Sequence, residues 1–373
     1  VSHSAEQLDS LMAAIVRGDS TRAVDLAACG IERVRRAASE HGVLPLLAER
    51  LRGAAPVAAD LVGALEADLR HGIASDLRRE VDLRQTLAAC HRRGLDVLVL
   101  KGAALAYTHY PRSDLRPRVD TDLLIPEDRR SDAHETLTAL GFRRPEQVTG
   151  QLVMSQAMYE KRRDGVVLHA IDLHWRIANP QLFSGVLTFE ELDRRAVPIP
   201  ALGPSARGLA GPDALVLACV HRVAHHRDDD SLIWLYDIHL VASALTEEEW
   251  RTFRALAAER GVLTICRQGL ARAAARFRTV IPPDVVEGHE AETARTDEGT
   301  AAFLRRGRPQ LNTLISDLGA LRSWTARGRL LREHLFPPAS YMRGAYAPSS
   351  RAPLAALYAW RAARGAWRWL RRG

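Results

Sequence analysis

The chain predicts an α+β fold, a mixed sheet core flanked by N-terminal and C-terminal helical subdomains, and three observations carry that expectation. Apolar residues recur at helical spacing up to about residue 93, the period shortens to strand-like runs over 94–196, and helical spacing returns beyond a proline-rich stretch. The expected divisions are a helical subdomain over 1–93, an α+β core over 94–196, and a helical half over 197–373 that ends in a basic Trp/Arg tail. At 373 residues the chain exceeds the size at which one core usually keeps growing.

Each element has its own signal. Leu8, Leu11 and Ile15, and later Leu61, Leu65 and Leu69, mark N-terminal helices, with breaks at Gly42 to Pro45 and Gly53 to Pro56. From Asp96, VLVL reads as a short buried strand, and Lys101-Gly102 leads into the helix AALAYTHY, stopped by Pro111. VDTDLLI is the next strand, and the helix Asp128 to Leu140 closes at Gly141, where glycine caps best. LVMSQAMYEK and VVLHAIDLHW follow as strands joined by a turn at Arg163-Asp164-Gly165. Residues 196–212, with Pro198, Pro200, Pro204 and Pro212, read as a linker.

Composition narrows the function classes. A hydrophobic content of 47% and a charged content of 26% describe an ordinary globular protein. No charged-then-apolar leader is read at the start and no uncharged apolar stretch approaches twenty residues, so a cytoplasmic protein without a transmembrane segment is expected. Cys29, Cys90, Cys219 and Cys266 are scattered without metal-ligand spacing and are expected to be reduced. The net charge of +7 is concentrated at the end: Arg351, Arg361, Arg364, Arg368, Arg371 and Arg372 face no acid there, which leaves about +1 for the rest. Stable nucleic-acid binding is therefore not expected. The tail's Trp360, Trp367 and Leu370 stand at near-helical spacing. That pattern could meet an anionic membrane, a nucleic acid or an acidic partner, but the favoured reading is that the tryptophans close the last helix onto the core.

Three carboxylates carry the chemistry. Asp120 and Asp122 alternate along one strand and so leave the same face, where their mutual repulsion is relieved by a divalent cation. Asp172, on another strand-like run, could stand beside them. Three aspartates on adjacent strands suggest a two-metal site for phosphoryl or nucleotidyl transfer. Lys101 is one of only two lysines, Lys161 being the other, and with Gly102 it sits where a strand meets a helix, a place suited to a phosphate. Arg116 and Arg118 could steady an anionic leaving group. His174, two residues from Asp172, shares its face and is a candidate for lining the site. His221 and His225 share a helical face, with Asp237 in the following helical run, but no HExxH pattern supports zinc. Either these form a packed polar cluster over the cleft, or His225 and Asp237 reach an acceptor.

The arrangement LKG, Tyr110, Arg116, DTDLLI and IDLHW resembles an uncharacterised nucleotidyltransferase family of the DNA polymerase β-like superfamily. The likeness extends to HGVLPLLAERL before it and VHRVAHHRDDDSLIWLYDIHL after it. The resemblance implies that Asp120, Asp122 and Asp172 hold Mg²⁺, with Mn²⁺ as the alternative, and that Asp172 helps activate the attacking hydroxyl. It implies a nucleoside triphosphate such as ATP as donor, bound through Lys101, Gly102, Arg116 and Arg118. An unidentified hydroxyl acceptor, a peptide or small molecule, would be met by His174, His225 and Asp237. Related enzymes present Gly-Ser where this chain has Lys101-Gly102, a departure at the phosphate-binding position. Since relatives accompany natural-product and peptide-modifying genes, a tailoring transferase using a nucleotide-sugar is the enzyme alternative. A non-catalytic scaffold that binds a nucleotide or partner is the alternative of a different class.

Overall fold

The computed structural model describes residues 4–52, 59–145, 150, 152–226, 228–286, 299–304, 310–346 and 352–370, without the side chains of 71, 73, 74, 310–312 and 365–370. The expected break at Gly53 to Pro56, together with Arg351, Arg371, Arg372 and the side chains of Trp367, Arg368 and Leu370, lies outside the described residues.

Helix α1 (Ala5–Val16) starts at Ser4, whose hydroxyl and the Gln7 amide satisfy each other's backbone N–H groups. It is followed by α2 (Ala23–Ala27), α3 (Ile31–Glu40), α4 (Leu44–Leu51) and the long α5 (Ala59–Arg92). The leucines that predicted these helices, Leu8, Leu11, Leu61 and Leu65, are all buried. A left-handed turn at Gly94 leads into β1 (Leu98–Val99) and α6 (Lys101–Thr108), which begins two residues before the expected Ala103 start. Next come β2 (Thr121–Leu124), α7 (Arg130–Ala139) with its left-handed Gly141 cap, β3 (Gln156–Arg163) and β4 (Val166–His174). Asp164 and Gly165 both have positive φ, the requirement of a tight two-residue hairpin turn.

The stretch 196–212 is more than a linker. After α8 (Gln181–Ser184) and α9 (Phe189–Arg195), it contributes β5 (Val197–Pro198) and β6 (Arg207–Gly208), completing a six-stranded mixed sheet of order β3-β4-β2-β1-β6-β5. Two-residue strands have no readable periodicity, and Pro198 sits in the edge strand, where its missing N–H is tolerated. Strand β2 runs parallel to β4 and antiparallel to β1.

Helices α10 (Gly211–Ala224), α11 (Leu232–Ala244), α12 (Glu247–Glu259) and α13 (Leu263–Phe277) follow, then the short α14 (Pro283–Val286) and four further helices, Gln310–Ala320, Trp324–Leu335, Ala339–Tyr346 and Leu354–Leu370. Helices before and after the sheet bury their apolar faces in one cluster: Leu11, Ile15, Leu26 and Leu47 share it with Val220, Ile238, Phe253 and Phe277. Each such side chain contributes roughly 1.5–3 kcal/mol relative to exposure. Arg17 donates to the Arg276 carbonyl at 2.8 Å, and Arg276 donates to the Ser10 hydroxyl at 2.7 Å, joining α1 to α13. A second cluster, including Val99, Leu123, Ile171 and Leu173, lies under the sheet against α5, α6 and α7. The helical halves thus brace one face of the strands that carry the carboxylates.

Candidate active site

Parallel pairing of β2 with β4 places Asp122 directly opposite Asp172. Paired residues on adjacent strands send their side chains to the same face. A carboxylate oxygen of Asp122, one of Asp172 and a ring nitrogen of His174 all lie within 4.8 Å of one another. Asp120 immediately precedes β2 and adds its charge to both carboxylates.

The two facing aspartates differ electrostatically. Burial pushes the Asp172 carboxyl up to about 6, helped by the charges of Asp120 and Asp122. Gln156 donates to its Oδ2 at 2.8 Å, while the nearby Arg176 pairs with Glu127 at 3.0 Å. Burial alone would raise Asp122 too, but Lys101 and the hydrogen bond from His174 hold it well below the usual carboxylate range. The Lys101 Nζ donates to Asp122 Oδ1 at 2.7 Å, and His174 Nε2 meets the same oxygen at 2.8 Å. Asp120 is raised, first by burial and then by Asp122.

Local backbone explains how Lys101 gets there. Its φ of +52° is left-handed, uncommon for a residue with a Cβ, and it marks the abrupt change from β1 to α6. The Leu100 N–H donates to the Asp122 carbonyl at 3.0 Å, so the turn is stitched to β2 beside the carboxylate that receives the ammonium.

A cleft of about 1180 Å³ opens over this face. Lys101, Gly102, Asp120, Asp122, Gln156 and Asp172 form its floor, and His221, His225, His226 and Trp234 from α10, α11 and their connection form one wall. His226 stacks on Trp234 with ring centres 3.7 Å apart, and its Nε2 meets His221 Nε2 at 3.0 Å. Burial, then Lys101, keeps all three histidines readily neutral: His225 is lowered to about 3, His226 to about 4, and His221 falls well below its ordinary value. The connection bearing His225 and His226 is tethered by the fully buried Arg222, 2.5 Å from Asp228, which also binds Arg272 at 2.6 Å.

The sequence candidates therefore take different positions. Arg116 does not project freely: its guanidinium grips Asp237 with Nε–Oδ1 at 2.9 Å and Nη2–Oδ2 at 2.7 Å, and donates to the Pro117 carbonyl at 2.7 Å. Burial would lower the Arg116 pKa, but Asp237 reverses this and raises it. The Tyr110 hydroxyl donates to Asp237 Oδ1 at 2.7 Å, so that carboxylate, which also borders the cleft, binds the site's loop to α11. His174 is fully enclosed behind Asp122, not in the cleft lining. Arg118 does face the cleft, its guanidinium 5.1 Å from the Tyr107 ring centre and its Nη1 without a hydrogen-bond partner among the described residues. His225 lines the wall with its Nε2 likewise unpartnered. The sequence reading passed over Gln156, His226 and Trp234. Gln156 could have been found by alternation, since it lies across the β3–β4 hairpin from the run that contains Asp172; the other two had no signal beyond proximity to His225.

The donors present fit a divalent cation. Crowded carboxylates whose protonation rises through mutual repulsion gain from one, and oxygen ligands suit Mg²⁺, while an adjacent imidazole also suits Mn²⁺.

The chain belongs to the family described as uncharacterised nucleotidyltransferase, whose model matches residues 28–278. No curated protein matches it. Among solved structures it is similar to the antibiotic-resistance factor ANT(2'')-Ia, with a TM-score of 0.36 and 18% identity, over 50% of this chain and 94% of that one. No helix among the described residues is long and apolar enough to cross a membrane.

Proposed function

We propose that the cleft transfers a nucleoside monophosphate from a nucleoside triphosphate to a hydroxyl of a peptide or small molecule, in a reaction that depends on Mg²⁺ or Mn²⁺. The observation that carries this reading is the register of Asp122 with Asp172, which gathers ligand atoms within 4.8 Å on the floor of a cleft large enough for two substrates.

Asp120, Asp122 and Asp172 would hold the cation, which when bound neutralises phosphate charge and lowers the pKa of an attacking hydroxyl. In the transfer, the acceptor oxygen bonds to the α-phosphorus, the bond to the bridging oxygen breaks, and pyrophosphate leaves. Asp172, facing Asp122 across the strand pair, is the carboxylate that would take the acceptor's proton. Arg118, whose Nη1 has no hydrogen-bond partner among the described residues, supplies a guanidinium to the leaving phosphates, and the amides opening α6 at Gly102 add backbone donors. Lys101, whose Nζ donates to Asp122 Oδ1 at 2.7 Å, would meet a phosphate bound beside these carboxylates. His225 offers its Nε2 to the acceptor hydroxyl. His174 supports Asp122 from behind, and Asp237 positions Arg116.

Incubation with each α-labelled nucleoside triphosphate, Mg²⁺ or Mn²⁺, and a panel of hydroxyl-bearing peptides and small molecules tests this. Pyrophosphate release and label transfer are expected, and both should vanish in Asp122→Asn and Asp172→Asn. Turnover confined to nucleotide-sugars would indicate glycosyl transfer. Cation-dependent nucleotide binding that leads to no turnover with any acceptor would indicate a scaffold.

A further inference from the structure

Residues 322–373 contain eleven arginines and a single acid, Glu333, a net +10 within a chain totalling +7, so the preceding residues carry a net −3. That acid faces inward. Its Oε2 accepts from the backbone N–H groups of Leu152 at 2.9 Å and Val153 at 3.1 Å, which pins the helix Trp324–Leu335 to the chain leading into β3. Leu330, only 1% exposed, lies on the same inward side.

The opposite side is apolar and bare. Trp324, Leu331 and Leu335 are seven and four residues apart, one stripe of the helix, and are 81%, 38% and 57% exposed; Phe336, just beyond, is 59% exposed. The guanidinium of Arg327 covers the Trp324 ring at 4.7 Å. The helix Leu354–Leu370 extends the surface. Arg361 donates to the His334 carbonyl at 2.6 Å, and Tyr358 packs edge-on against Phe336 at 5.6 Å. Trp360, expected to close onto the core, is instead 49% exposed, touching Tyr346 with one edge and lying under Arg364 at 5.2 Å.

We propose that this C-terminal face docks onto an anionic lipid bilayer. Exposed indoles and leucines on a segment dense in arginines match the interfacial zone, with apolar side chains in the acyl boundary and arginines among the phosphate headgroups. The net +10 supplies the charge complementarity. A nucleic acid would match that charge but leave Leu331 and Leu335 in water. The described helices cannot span a bilayer, so the contact is peripheral. This inference stands apart from the proposed transferase activity.

The test is flotation of the full-length chain with vesicles of phosphatidylcholine alone and of phosphatidylcholine with phosphatidylglycerol. At least about tenfold stronger association with the anionic vesicles is expected, together with quenching of tryptophan emission by brominated acyl chains. The triple variant Trp324→Ala, Leu331→Ser, Leu335→Ser alters only exposed side chains. It should keep its Tm and lose the association at least tenfold. Absence of flotation with anionic vesicles, equal flotation of the variant, or preferential binding of a single-stranded RNA oligonucleotide over the vesicles would each overturn the proposal.

Discussion

Lys101 and Asp122 form a 2.7 Å ion pair at the buried floor of the cleft, with their side chains only 11% and 12% exposed. The ammonium supplies the positive charge nearest to the buried Asp122 carboxylate. Lys101→Met should therefore leave a buried carboxylate supported only by His174, at a cost of roughly 3–5 kcal/mol. Added Mn²⁺ or Mg²⁺ should raise the Tm of this variant more than that of the parent. An unchanged Tm in the absence of cations would show that the ammonium does not compensate Asp122.

Asp172 and Asp122 should respond to pH in opposite senses. The folded Asp172 carboxyl, raised from 3.8 to about 6, binds its proton more tightly than in the unfolded chain. Cation-free stability should fall as pH rises through that window and stay lowered above it. Asp172→Asn should then be more stable than the parent at neutral pH by about 1–2 kcal/mol, after discounting for solvent screening of a part-exposed group. Asp122 is depressed, so its contribution is present at neutral pH and is lost on acidification below the ordinary carboxylate range. Thermal unfolding in chelator from about pH 3 to about pH 8 covers the Asp172 window and the onset of the Asp122 loss. A flat profile for the parent would contradict them.

Asp237 should prove to be a clamp. Asp237→Asn removes the charge that Arg116 and Tyr110 both engage, and a loss of roughly 3–5 kcal/mol is expected in denaturant titration. Gly102→Ala acts on the same clamp from the other side, since an added Cβ would stand 2.9 Å from the Arg116 guanidinium carbon. That guanidinium is pinned to Asp237 and cannot simply swing away, so about 1–3 kcal/mol of destabilisation follows. The two variants share a mechanism and should combine less than additively.

His225→Ala should separate acceptor binding from nucleotide binding. The residue lines the cleft and its Nε2 has no hydrogen-bond partner among the described residues, so the expected effect is a KM for the acceptor raised about tenfold, with nucleotide affinity unchanged. Equal weakening of both substrates would point instead to collapse of the histidine wall.

Local patterns made much of the fold legible. The Asp164-Gly165 turn, the Gly141 cap and the buried leucines of α1 and α5 each depend on a few consecutive residues, whose preferences a sequence displays directly. The two-residue strands β5 and β6 were hidden because pairing partners far along the chain create them. The same holds for the shared core of α1 with α13: amphipathic helices announce an apolar face but not what covers it.

The sequence by itself determined that three aspartates lie on two strand-like runs, the first of them close to one of the chain's two lysines, because residue type and alternation are local properties. Only the tertiary structure decided how the charges are shared: Lys101 with Asp122, Arg116 with Asp237, Arg118 left facing the cleft, and Asp172 raised by its neighbours. Pairing and burial depend on through-space distances of a few ångströms between residues as far apart as Arg116 and Asp237, and those distances exist only once the helices have closed over the sheet.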